Sequence, residues 1–122
     1  MKAPGRRPQR VAEAIREIVA PFLQREVRDP RITGLLTITT VHVTPDLKRA
    51  VVGVAIHGDE AVREKTLEGL ASAAPAVRHE LGRKLQLRLV PEVVFELDRG
   101  ADHAARIESV LASLRRDEAR DP

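Results

Sequence analysis

The chain has 122 residues, 43% of them hydrophobic, with 21 Lys and Arg against 18 Asp and Glu for a net charge of +3. That is one domain's length with apolar content for one core, and the absence of cysteine excludes a disulfide framework and any thiolate metal site. No apolar run reaches the roughly 18 residues of a membrane span, and no apolar signal segment follows the basic start MKAPGRRPQR. Glu13 and Glu17 argue against a transit peptide, and a cysteine-free chain fits a reducing cytoplasm, which is the expected location. Phe22 and Phe95 are the only aromatics, so the core must come from Leu, Ile and Val, as in small layered α+β domains.

Lys2, Arg6, Arg7 and Arg10 place positive charge, and no acid, in the first ten residues. From Arg10 to about Arg28, Val11, Ile15, Ile18, Val19 and Phe22 fall at i, i+4, i+7, i+8 and i+11, one stripe of an amphipathic helix. Pro21 predicts an irregularity in its last turns, and Asp29-Pro30 ends it, because the residue before proline avoids helical geometry.

ITGLLTITTVHVT (32–44) is β-branched and strand-like, but Leu36 and Ile38 share one parity while Val41 and Val43 share the other. A bulge near Thr39-Thr40 reconciles the halves. TPDL (44–47) reads as a turn with proline at its second position. RAVVGVAIHG (49–58) alternates, with Ala50, Val52, Val54 and Ile56 inward, and the two runs form an antiparallel hairpin.

Asp59 suits a helix N-cap, and Val62, Leu67, Leu70, Ala71 and Ala74 give the stripe of a second helix. Pro75 then predicts a break. Ala74 is pushed from helical geometry by the proline after it, and Pro75 suits the first position of a new helix that runs to Lys84 or Leu85. Such a start presents free N–H groups and a positive dipole end, an anion site to which Arg78 adds a full charge, unless the break is only a packing bend that lets two short helices wrap the sheet. LRLVPEVVFELD (87–98) supplies the last strand, with Val93, Phe95 and Leu97 on one face. Ile107, Val110, Leu111 and Leu114 recur at helical spacing in a charged tail, expected to be partly helical or disordered.

The order is helix, strand, strand, helix, helix, strand, with three helices expected on one face of a three-stranded sheet, an α+β two-layer domain. Arg78, Arg83, Lys84 and Arg88 stand against Glu80 alone in residues 78 to 90. With the basic N-terminus, that distribution fits either a polyanion partner or an ordinary solvated surface.

This element order resembles that of a type II KH domain, an RNA-binding fold. The stretches RVAEAIREIVAPFLQREVRDPRI (10–32), TITTVHVTPDLKRAVVGV (37–54) and LASAAPAVRHELGRKLQLRLVPEVVFELD (70–98) together resemble the ribosome-binding factor A family, from about Arg6 to Asp98. Asp29-Pro30-Arg31, Thr44-Pro45-Asp46-Leu47 and Val90-Pro91-Glu92 make the match specific. The resemblance implies a KH-like RNA-binding domain over 1–98 and a charged tail over 99–122. It also implies a factor of the free small (30S) ribosomal subunit that touches its rRNA and supports its late maturation and 16S rRNA processing, notably in the cold. Such a factor is a monomer with no reaction of its own, no cofactor, no metal and no small-molecule substrate. In that family an Ala-x-Gly bend replaces the KH loop; here Ala73, Ala74 and Pro75 stand in its place, so the glycine is missing. The expected RNA contacts are therefore Arg6, Arg7, Arg10, Ala73, Ala74, Pro75, Arg78, Arg83, Lys84 and Arg88.

An enzyme needs a reactive constellation, and none assembles. His42, His57, His79 and His103 lie on different elements, HELGR lacks the second histidine of a zinc-protease motif, and Asp98, Asp102 and His103 read as a solvated loop. Asp46 and Asp59 have turn and cap roles. Arg31, Lys48 and Arg49 read as ordinary solvent-facing residues. A protein-interaction module using the C-terminal helix is the alternative function. Without Tyr or Trp to stack bases, RNA binding should read shape and backbone rather than sequence.

Overall fold

The computed structural model describes residues 6–32, 35–100 and 110–116, with Arg6 described by its backbone alone. The first helix, α1 (Arg6–Arg25), forms where the apolar stripe predicts it and begins a turn earlier. Val11, Ile15, Val19 and Leu23, each four residues on, are its buried edge, and Ile18 and Phe22 flank them half-buried. Pro21 sits inside the helix on its exposed side and does not end it. Past the helix, the Asp29 carboxylate accepts from the Arg31 backbone N–H at 2.9 Å and from the Arg31 guanidinium at 3.0 and 2.8 Å. That clamp shapes the turn that leads into the sheet.

β1 (Leu36–Val43) and β2 (Arg49–Ile56) pair antiparallel, and the register shifts between Ile38 and Thr40. This is the expected bulge: it lets Ile38 face Val54 and Val41 face Val52, so both halves of β1 turn the same way. Asp46 holds the hairpin turn, accepting from the Thr44 hydroxyl at 2.7 Å and the Lys48 N–H at 3.1 Å, with Leu47 at φ 62°.

β3 (Glu92–Leu97) lies parallel to β2 at the sheet's other edge, in the order β1-β2-β3. Parallel neighbours need a crossover, and α2 (Glu60–Lys84) supplies it, capped by Asp59, whose side chain accepts from the Val62 N–H at 2.9 Å. Gly69 allows α2 to pass close to the 29–32 turn; a Cβ there would stand 2.7 Å from Ile32 Cγ1. The core joins the α1 stripe to Ala50, Val52, Val54 and Ile56 of β2 and to Leu70, Val77 and Leu81 of α2. A third helical segment, α3, spans 110–116. The fold class is the expected α+β one, three helices with a three-stranded sheet, but the order is α1-β1-β2-α2-β3 with α3 after the last strand, where a third helix was expected between α2 and β3.

One expectation is corrected. The helix does not end at Ala74 and restart at Pro75, because α2 is continuous from Glu60 to Lys84 with Pro75 in its interior. The physical reason lies in the buried side of the helix. Leu70, Ala73, Val77 and Leu81 keep one uninterrupted helical phase past the proline, and all four are buried. Ala71 and Pro75 are both exposed, so the carbonyl that loses its amide partner faces outward rather than into the core.

Candidate nucleic-acid interface

Ala71, Ala74, Pro75, Arg78 and Gly82 share the face of α2 that is turned from the core towards β3. Because these side chains are mostly small, a groove of about 1020 Å³ opens between that face and the outer edge of β3. Leu89, Val90, Val94 and Phe95 form its other wall. Among the described residues β3 is an edge strand, so its outward backbone groups border the same groove.

The unbroken helix changes what this groove can do. Residues 76 to 78 lie inside the helix, where their amides are committed to backbone carbonyls. The anion site expected from a helix start at Pro75 is therefore not formed. Pro75 instead leaves an acceptor, since Ala71 has no N–H four residues on to take its carbonyl. Positive charge at the groove comes from side chains alone.

Arg78 is exposed and donates from Nε at 3.3 Å and from Nη2 at 3.0 Å to the Val90 carbonyl, spanning from the helix to the loop that leads into β3. Arg83 and Lys84 pair with Glu80 at 2.9 and 3.6 Å. Glu80 is only 9% exposed, so these cations neutralise an acid that would be costly to bury alone. Arg88 is exposed and makes no ion pair among the described residues. Arg78, Arg83 and Arg88 line the groove, as do Ala74 and Pro75. Ala73 does not: it is 9% exposed and faces the core.

Arg7 and Arg10 are exposed on the first turns of α1. That helix runs against β1, with Gln9 and Ala12 beside Val41 and Ala20 and Leu23 beside Leu36 and Ile38, so its start lies at the hairpin end of the sheet. The Glu92 N–H donates to the Lys48 carbonyl at 2.8 Å, which ties the hairpin turn to the start of β3. One end of the fold therefore gathers Arg7 and Arg10 from α1, Lys48 and Arg49 from the hairpin, Arg83 and Lys84 from the end of α2, and Arg88 from the loop that follows. The Arg6 side chain, Asp102 and His103 lie outside the described residues.

Lys48 and Arg49 join this group although their sequence context marks them as ordinary surface. The signal was topological: a helical crossover between parallel strands returns the chain to the end where the first strand began. The opposite end carries acids. Asp59 caps α2 there, and Glu60 accepts from Arg99 at 2.5 and 3.1 Å, a contact that holds the Glu60 carboxyl below its ordinary range.

Comparison with known proteins shows the family and the fold. The family model described as ribosome-binding factor A matches residues 7–111. A Gemmatimonas aurantiaca protein named ribosome-binding factor A is 49% identical over 118 residues, covering 96% of this chain and 81% of that one. The crystal structure of ribosome-binding factor A from Thermus thermophilus superposes with a TM-score of 0.65 at 24% identity, over 74% of this chain and 93% of that one, which shows a shared fold. Coordinates of the Thermus thermophilus factor fitted into a cryo-electron-microscopy map of its 30S complex match with a TM-score of 0.59 at 26% identity, covering 72% and 91% of the two chains.

Proposed function

The chain belongs to the ribosome-binding factor A family, and from that premise we propose that it binds the free small ribosomal subunit and assists its late maturation and 16S rRNA processing. Residues 1–98 are the binding unit, acting as a cytoplasmic monomer with no chemistry of its own. The rRNA backbone runs along the α2–β3 groove and on to the basic end of the fold. The observation that carries this reading is the groove itself, with an open strand edge on one wall and Arg78 and Arg88 on the other parts of its rim. The related Thermus thermophilus factor has been fitted in a 30S complex, which supports the same partner here.

The groove suits a ribose-phosphate strand for a simple reason. Its cations meet phosphates, and the Ala71 carbonyl and the β3 edge offer acceptors for ribose hydroxyls, the groups that mark RNA. Among the described residues, Phe95 and the imidazole of His79 are the rings on its walls. Affinity therefore comes from backbone and shape, with little base reading.

The test is a ribosome profile from cells lacking this protein, grown in the cold, with precursor rRNA ends mapped in parallel. Free small subunits carrying unprocessed 16S rRNA are expected to accumulate. A normal profile with mature ends overturns the reading.

A further inference from the structure

Glu80 is the one buried ionisable side chain among the described residues, 9% exposed. It stands in the stripe of α2 that faces the core, three residues after Val77 and beside Leu81. A helix packed only for stability would carry an apolar residue there, since exchanging a buried ion pair for apolar side chains of like volume is often neutral or stabilising. Stability alone therefore leaves the carboxylate unexplained.

Its partners account for it. Glu80 Oε1 accepts from Arg83 Nη1 at 2.9 Å, and Oε2 lies 3.6 Å from Lys84 Nζ. The two cations are i+3 and i+4 to the acid, where side chains of a helix meet. Their side chains are 66% and 57% exposed, against 11% for that of Glu80. One buried carboxylate thus stands behind two surface cations at the basic end of the fold.

The cations of the interface are unequal as a result. Arg78 is bonded to an uncharged carbonyl, and Arg88 makes no ion pair among the described residues. Both meet a phosphate at full charge. Arg83 and Lys84 share one carboxylate, so the trio presents a net charge of +1, two cations less one anion. A phosphate that approaches either of them also approaches the anion behind it. Glu92, the other acid at the groove, is exposed and holds no cation among the described residues.

We infer that Glu80 limits the affinity of the rRNA interface: by holding Arg83 and Lys84 in internal ion pairs, it weakens the grip of the basic end and lets the factor leave the subunit. This rests on the RNA-binding function proposed above and adds its regulation.

The test titrates free small subunits with the full chain, with E80Q and with E80M over a range of salt, with thermal unfolding of each protein run in parallel. Both variants keep the approximate volume of the side chain and remove its charge. E80Q decides, or E80M if E80Q does not fold. The deciding variant is expected to bind about fivefold more tightly at low salt, the scale of one unit charge removed a few ångströms away in water. It should also steepen the fall of log affinity with log salt by about 0.7–0.9, one further phosphate neutralised. A merely structural role for Glu80 would not move that slope. E80Q/R83A/K84A, which buries no charge, should lose the gain and flatten the slope below the parent's. Affinity and slope equal to the parent's in the deciding variant, or weaker binding, overturns the limit set by Glu80 and leaves the functional reading standing. No subunit binding by the parent or any variant overturns the functional reading and this inference with it.

Discussion

The Arg78 guanidinium meets the carbonyl of Val90 through both Nε and Nη2, at 3.3 and 3.0 Å. One cation thus joins the two walls of the groove it lines. Arg78→Ala is expected to lower stability by about 1 kcal/mol, the scale of one net hydrogen bond, and to speed amide exchange in residues 85–91. Arg78→Lys keeps the charge but not the planar fork. It should share the stability loss while keeping the salt dependence of subunit binding, which denaturation and binding titrations would separate.

Pro75 is expected to set stability against binding. An interior proline costs a helix roughly 3 kcal/mol, and here it lies on the groove side of α2. Pro75→Ala restores the bond to the Ala71 carbonyl and is expected to raise stability by about 1–3 kcal/mol. It should also weaken subunit binding, because it removes the open acceptor and the local departure from ideal helix. Thermal unfolding and subunit co-sedimentation of the same variant check both halves.

Gly53 faces the bulge of β1. A Cβ at this position would run into the Thr40 hydroxyl and stand 3.2 Å from that of Thr39. Gly53→Ala is expected to destabilise by about 1–3 kcal/mol, the cost of overpacking. Adding Thr40→Ala should recover part of the loss in chemical denaturation, because it removes the nearer obstacle.

The Asp29–Arg31 clamp predicts an acid transition. Hydrogen bonds and charge from Arg31 lower the Asp29 carboxyl from 3.8 to about 2. A depressed carboxylate contributes stability that is complete above its unfolded value and is lost as the pH falls through the folded one. Asp29→Asn should therefore be less stable than the parent at pH 7, with the difference shrinking between about pH 4 and pH 2. A gap that persists unchanged at pH 2 would contradict this role.

Much of the fold was legible in local pattern. The spacing of Val11, Ile15 and Val19 placed α1, and the parity change in β1 located the bulge between Ile38 and Thr40. The hairpin register followed from Ala50, Val52, Val54 and Ile56. Proline's backbone penalty alone points to a break at Pro75, where the helix in fact continues. The unbroken phase of Leu70, Ala73, Val77 and Leu81 was the stronger evidence, since burying those side chains outweighs one hydrogen bond lost on the exposed side. The groove was legible only in part. Arg78, Arg83 and Arg88 stood out by charge, whereas Leu89, Val94 and the β3 edge depend on which strand ends the sheet, a matter of topology that no local window contains.

The proposed function has rRNA phosphates meet the cations of the α2–β3 groove, and its most direct test is the salt dependence of binding to free small subunits. Log affinity should fall linearly with log salt, and R78E/R88E should weaken binding and flatten the slope by about 1.4–1.8, two phosphates at 0.7–0.9 each. Association that ignores salt, or a double variant that binds with the parent's affinity and slope, would contradict it.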